Sequence, residues 1–156
     1  MNRDAIAREW LAELVAGYPG ESSRYLERER DPFRNPVGRA YREGVRSIVD
    51  AVLDGGEPAQ AHAAIEELVR IRAVQAVVPA DGAGFVRSLK ATVRRHPDPG
   101  ASREAQDALL AAIDRRIDAL ALFAADIDHR CRTQLDEMRT RASRLSVHAF
   151  RRTAVP

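Results

Sequence analysis

The side chains of this sequence that could do chemistry are few and scattered. They are His62, His96, His129, His148, Cys131 and the carboxylates Asp114, Asp118 and Asp126. A metal centre needs several such ligands converging on one point. His129 and Cys131 are two residues apart in a helical stretch, so their side chains point about 200° apart and cannot grip one ion. Asp126 and His129 have the i, i+3 spacing of a di-iron bundle, but such a site needs a second acid–His pair and glutamates on facing helices. The chain offers no such second pair. His62 and His96 stand alone near predicted helix ends, where a surface or capping role is expected, and His148 lies in the tail. Asp114 and Asp118 share a helix face, with Arg115 and Arg116 beside them. That pattern reads as a solvated charged face, not as an acid–base pair. A haem held by His96 or His129 would need aromatic surroundings, and few aromatic residues lie near either. No metal, cofactor or catalytic residue is expected, and the chain is not predicted to be an enzyme.

Composition bounds the elements that carry these residues. The chain has 156 residues, 45% hydrophobic, 31% charged and only 5% aromatic. One domain with a real core is expected. Abundant alanine favours closely spaced helices over sheets. The single cysteine, Cys131, excludes an internal disulfide and fits a reducing compartment. No apolar run approaches the ~20 residues of a membrane span. The N-terminus starts polar and turns amphipathic, unlike a signal peptide. A cytoplasmic protein is expected. The cations are nearly all arginine, with Lys90 the only lysine. Residues 130–156 carry seven arginines against Asp136 and Glu137. A basic end of this kind can meet nucleic acid, an anionic membrane surface or an acidic partner. It lacks the interleaved aromatics of a nucleic-acid surface, so a solvated helix end is expected and no nucleic-acid partner.

The periodicity predicts about six helices. Ile6, Trp10, Leu11, Leu14 and Val15 recur at helical spacing over 3–16, and Gly17 stops that helix. Trp10 reads as a core anchor. Ser22 or Ser23 is the expected cap of a short helix through Arg30. Phe33, in the polar connection 31–36, is expected to plug the core. Asn35 then Pro36 is a strong helix start: an acceptor at the N-cap, and proline where its missing N–H costs nothing. That helix is predicted to about Leu53, stopped by Gly55-Gly56. Pro58 opens the next, predicted through Val78, with Ala61, Ala64 or Ile65, Leu68, Ile71, Gln75 and Val78 in its stripe. Pro79 ends it. Asp81 is the expected cap of a helix over 82–95, which buries Phe85, Val86, Leu89 and Val93. Its first turn holds Gly82 and Gly84.

Ser102 is expected to cap the last helix. Leu110, Ile113, Ile117, Leu120, Ala124, Ile127, Cys131, Gln134 and Met138 follow in steps of three and four, a heptad seam of about four repeats. Apolar quality declines past Ile127, so the helix is expected to leave the body near residue 130. The expected division is a helical sensor-like domain, 1–130, and an Arg-rich extension, 131–156. Cys131, Leu135, Met138 and Arg139 are its candidate interaction residues, most simply in a homodimer. The predicted core contains Trp10, Tyr41, Leu68, Ile71, Phe85, Leu89, Ile113, Leu120 and Phe123. Gln75 is the polar anomaly of the central stripe. Either it is a satisfied core glutamine, or with Arg72 and Lys90 it lines a small site for a signal ligand.

Five blocks carry a family resemblance: Trp10; Tyr18-Pro19; DPFRNPVG at 31–38; IRAVQAVVPADGAGFVRSLK at 71–90; and IDALALFAAD at 117–126. In this order they make residues 10–125 resemble the N-terminal domain of RsbT co-antagonist proteins of the RsbR/RsbRD type. Ala80 departs from the serine expected there as a cap, a role Asp81 can take. The sequence also ends without the sulfate-transporter/anti-sigma-antagonist domain of full-length members, so their phosphorylatable output is not expected. The resemblance implies an all-helical regulatory or sensory domain, globin-like without haem in related proteins, and no enzyme. Together the readings predict an all-α, single-domain bundle with a long last helix, acting through protein contacts or a small signal ligand. The alternatives are a structural docking or dimerisation protein using that helix and, less favoured, a cofactor-binding redox protein.

Overall fold

The computed structural model describes residues 1–55, 58–75 and 83–153, with side chains over 1–55, 58–74 and 83–143. Among the described residues the chain forms helices and no strand. The helices are α1 (Arg3–Ala16), α2 (Gly20–Arg28), α3 (Pro36–Asp54), α4 (Pro58–Gln75), α5 (Gly84–Arg94) and α6 (Arg103–Thr153). The fold is therefore all-α, with a long C-terminal helix.

Local chemistry fixes most of the ends. The side chain of Asn2 accepts from the Ala5 amide and caps α1. Asn35 does the same for α3 through the Gly38 amide, with Pro36 in the first helical position. Gly55 closes α3 in the left-handed conformation, at φ 66°, where a glycine avoids the Cβ penalty. Ser102 accepts from Ala105 and caps α6. Neither Ser22 nor Ser23 caps α2. The helix starts earlier because the Pro19 carbonyl already accepts from the Ser23 amide. Ala83, which makes no side-chain cap bond, precedes α5. Val78, Pro79, Asp81, Gly82, Gly56 and the Gln75 side chain lie outside the described residues.

Trp10, Tyr41, Leu68, Phe85, Leu89, Ile113 and Leu120 are buried, as their spacing predicts. Ile71 and Phe123 are half-buried and pack against this core. Phe33 does not plug it: the side chain is 94% exposed. The turn before α3 closes on itself, with the Phe33 amide donating to the Asp31 carboxylate and the Asn35 amide to the Asp31 carbonyl. That closure aims the ring outward.

Helix α3 packs on α4, α1 lies against α3 and α5, and both α4 and α5 pack on α6. Gly44 allows the first of these approaches, since a Cβ there would stand 3.2 Å from Leu68. The stripe of α6 is fully buried at Ile113, Ile117, Ala121 and Ala124. Burial continues at Ile127 and Asp128 and weakens at Cys131 and Leu135, which are half-buried. Gln134 is exposed and Met138 is 57% exposed. The apolar side of the projecting part thus passes through Leu135, not Gln134.

Candidate functional site

Three residues were candidates for a signal ligand. Lys90, on α5, donates to Asp118 of α6 at 2.7 Å. One turn on, Arg94 pairs with Asp114. The two aspartates therefore tie α5 to α6 and are not a merely solvated face. Arg116 also reaches across, donating to the carbonyls of Val52 and Leu53 at the end of α3. Arg72 has a different neighbour. Its guanidinium stands 5.3 Å over the Phe85 ring, a cation–π distance. Phe85 stacks in turn on Trp10, whose indole N–H donates to the Ser88 hydroxyl at 2.9 Å. Arg72 and Lys90 thus serve different contacts, and the side chain of Gln75 lies outside the described residues.

A buried polar pair lies in the same core. The hydroxyls of Tyr18 and Tyr41 meet at 2.9 Å inside the core. Burial, then the hydrogen bond with Tyr41, pushes the Tyr18 phenol well above the ordinary tyrosine range. The surface also holds two open cavities. One, of about 850 Å³, lies between α1, α2 and α3 over Leu11, Leu26 and Val45, with Arg8, Arg30 and Arg46 around it. The other, of about 730 Å³, has Tyr18, Tyr25, Pro36 and Val37 in its walls. Neither is lined by Arg72 or Lys90.

The structure also assembles a cluster that local sequence patterns do not show. Glu9 faces the His96 ring and the Arg95 guanidinium. Arg95 also bonds Glu13, and Thr92 donates to Glu13 at 3.1 Å. Hydrogen bonds from His96 and then Arg95 hold the Glu9 carboxyl below its ordinary range. An acid, an imidazole and a hydroxyl in one cluster suggest nucleophilic catalysis, but the geometry does not. Thr92 is fully buried and bonded to Glu13 and Arg95, so its oxygen is not presented to a substrate. The cluster fastens α1 to the end of α5. The residues involved lie about eighty positions apart, so no spacing could reveal them.

The other histidines also have identified surroundings. His62 is not isolated: its ring stacks on Phe123 with centroids 4.2 Å apart. His129 is exposed, and Asp126 is paired with Arg130. Among the described residues no group of three or more His, Cys, Asp or Glu side chains is arranged to hold a metal ion.

The remaining candidates sit on α6 beyond the body. Cys131 and Leu135 are half-buried, and Met138 and Arg139 are exposed. Arg132 pairs with Asp128 at 2.7 Å. Arg139 lies 3.6 Å from Asp136, with both side chains about three-quarters exposed. Here a helix carries an apolar stripe into solvent, between charged flanks.

Among the described residues no helix is long and apolar enough to cross a membrane. Comparisons with curated proteins and with solved structures found no match. The family comparison did find one. The model of the RsbT co-antagonist protein rsbRD N-terminal domain matches residues 4–143, from the first helix into the projecting part of the last. The chain belongs to the family of RsbT co-antagonist protein rsbRD N-terminal domains.

Proposed function

We propose that this chain is a non-enzymatic regulatory module of stress signalling, which acts on partner proteins through the projecting half of α6. The single observation behind this reading is the continuous stripe of that helix. It is fully buried at Ile117, Ala121 and Ala124 and emerges from the body at Cys131, Leu135 and Met138. A stripe shared by core and solvent couples the two mechanically. A shift of the bundle against α6 displaces the exposed part, and a partner gripping the exposed part biases the bundle. The bridges Lys90–Asp118 and Arg94–Asp114, each with one exposed partner, mark the α5–α6 contact over which such a shift would run.

The finer version has a small signal ligand at Arg72, Gln75 and Lys90. Less supports it, because a ligand at Lys90 would have to displace Asp118. The test uses the full chain, tagged and recovered from its own cell. The expected result is that partner proteins accompany the wild type and are lost with Leu135→Asp combined with Met138→Asp, while the melting temperature hardly changes. A variant that keeps every partner would overturn the reading.

A further inference from the structure

We propose that the projecting seam of α6 receives one helix of a different protein, with acidic residues flanking its own apolar seam, in preference to a second copy of this chain. The inference rests on α6 being the output element, as above, and names the class of partner.

The seam is regular. Ala121, Ala124, Asp128, Cys131, Leu135, Met138 and Ala142 follow at alternating steps of three and four, and the sequence continues the spacing with Leu145 and Ala149. Strict alternation over this length is the pattern of a coiled-coil stripe. The first three positions are buried by the bundle itself. The later ones are progressively uncovered, up to Met138 at 57% and an exposed Ala142. The body therefore occupies one end of the seam and leaves the other open in the same register. Partly exposed Leu and Met side chains on a single helix gain little without a second helix against them.

The flanks identify the occupant. The positions beside the open seam hold Arg132, Gln134, Arg139 and Arg141, three cations and a neutral amide. Of the nearby acids, Asp136 and Glu137 fall on the outward side, and Asp128, in the buried end of the seam, is paired with Arg132. In a coiled coil the flanking residues set the choice of partner. An antiparallel second copy would set the Arg132 and Arg139 flank against itself, a like-charge arrangement, and a parallel one would face Arg139 with the neutral Gln134 and gain no ion pair, so neither favours self-pairing. A helix with Glu or Asp in its flanks reverses the sign of that contribution. Arg139 is free to change partners, because its contact with Asp136 is long and well exposed. Nucleic acid fits less well. Residues 124–143 hold no Phe, Tyr or Trp for stacking, and a phosphate backbone would leave the apolar seam uncovered.

The test uses the full chain and a synthetic peptide of several heptads, with Leu in the seam and Glu in both flanks. A scrambled peptide of the same composition and a short DNA duplex serve as comparisons. We expect the heptad peptide to bind at least about tenfold more tightly than either, and to weaken by about tenfold or more from low to high salt as the charges are screened. Arg139→Glu with Arg141→Glu should weaken binding to a similar degree. Leu135→Ser with Met138→Ser should abolish it at an unchanged melting temperature. Equal binding of the scrambled peptide or the duplex would reduce the effect to bare charge and overturn the proposal. Self-association of the wild type that tightens as salt rises would assign the seam to a second copy. That result overturns the acidic partner and leaves the output role of α6 standing. A seam that binds no peptide and no second copy, in a protein whose cellular partners survive Leu135→Asp with Met138→Asp, overturns both.

Discussion

Two of the polar junctions in this bundle work in opposite ways. Asn35 joins α2 to α3 from the inside, being 1% exposed. Its amide nitrogen donates to the carbonyls of Tyr25, Leu26 and Glu29, and its oxygen accepts from the Gly38 amide. One neutral side chain thereby serves the open end of one helix and the start of the next. Glu9 and Glu13 join α1 to α5 from the outside, through Arg95, His96 and Thr92. Those carboxylates and their cationic partners are a quarter to nearly half exposed. Breaking the first junction leaves one buried carbonyl, of Leu26, and two part-buried ones, of Tyr25 and Glu29, without the amide. Breaking the second returns charges to solvent. Charge count is therefore a poor guide to which junction matters more.

The largest effect should follow from Asn35→Ala. Loss of an N-cap and of the amide's two N–H groups, shared among three carbonyls of which that of Leu26 is buried, should destabilise the protein by about 2–3 kcal/mol. Gly38→Ala should come close to this, because its Cβ would stand 2.2 Å from the Asn35 amide nitrogen and push that side chain out. Urea unfolding measures both. Arg42 also donates to the Leu26 and Glu29 carbonyls and can soften the loss. A cost below about 1 kcal/mol for Asn35→Ala would mean that buried hydrogen bonding is not what distinguishes the two junctions.

The same contrast explains what the sequence made legible. Asn35-Pro36 announces a helix start, because a cap acts on the residues just after it. The reach of Asn35 back to carbonyls six to ten positions earlier follows no spacing rule, so only the folded chain shows it. The stripes of α3, α5 and α6 were readable, since burial repeats with the helical period at Tyr41, Val45 and Ile48, or at Phe85 and Leu89. Phe33 was misread because an aromatic residue in a polar turn has no period. The Asp31 turn decides its direction. Glu9 and His96 were unreadable as a pair, because nothing local relates residues on different helices. The long last helix was foreseeable from its heptads, although the register of its stripe through Leu135 emerged only once burial showed where the stripe of α6 lies.

An intermediate effect belongs to the buried hydroxyl pair, neutral like Asn35 but titratable like Glu9. Tyr18→Phe removes one buried hydrogen bond and should cost about 1 kcal/mol at neutral pH. The folded Tyr18 phenol ionises at higher pH than an exposed one, chiefly through burial. Its contribution is then complete below the unfolded value of ~10 and is lost as pH rises beyond it. The variant should therefore lose less stability than the wild type on moving into alkali. Parallel alkaline curves for the two proteins would show that the pair does not resist ionisation.

The smallest effect, and the one that tests the contrast most directly, belongs to Glu9. Replacing it by Gln keeps the shape and removes the charge facing Arg95 and His96. The exposed setting predicts only a slight loss of melting temperature at neutral pH, smaller again in high salt. The sign with pH follows from the direction of the shift. Glu9 has a folded pKa below the ordinary 4.5, set first by the His96 bond and then by Arg95. A lowered folded pKa contributes stability that is present above the unfolded value and is lost as pH falls through the folded one. The gap between wild type and Glu9→Gln should hence close as pH falls below about 4.5. Asp98 is depressed too, by the Gly100 amide and then the N-terminal ammonium, and acts over the same acid window. The comparison is cleanest with Asp98→Asn in both proteins. A gap that persists in acid would assign the role of Glu9 to packing, not charge. A neutral-pH loss as large as that of Asn35→Ala would mean that the outer junction holds the bundle as firmly as the inner one.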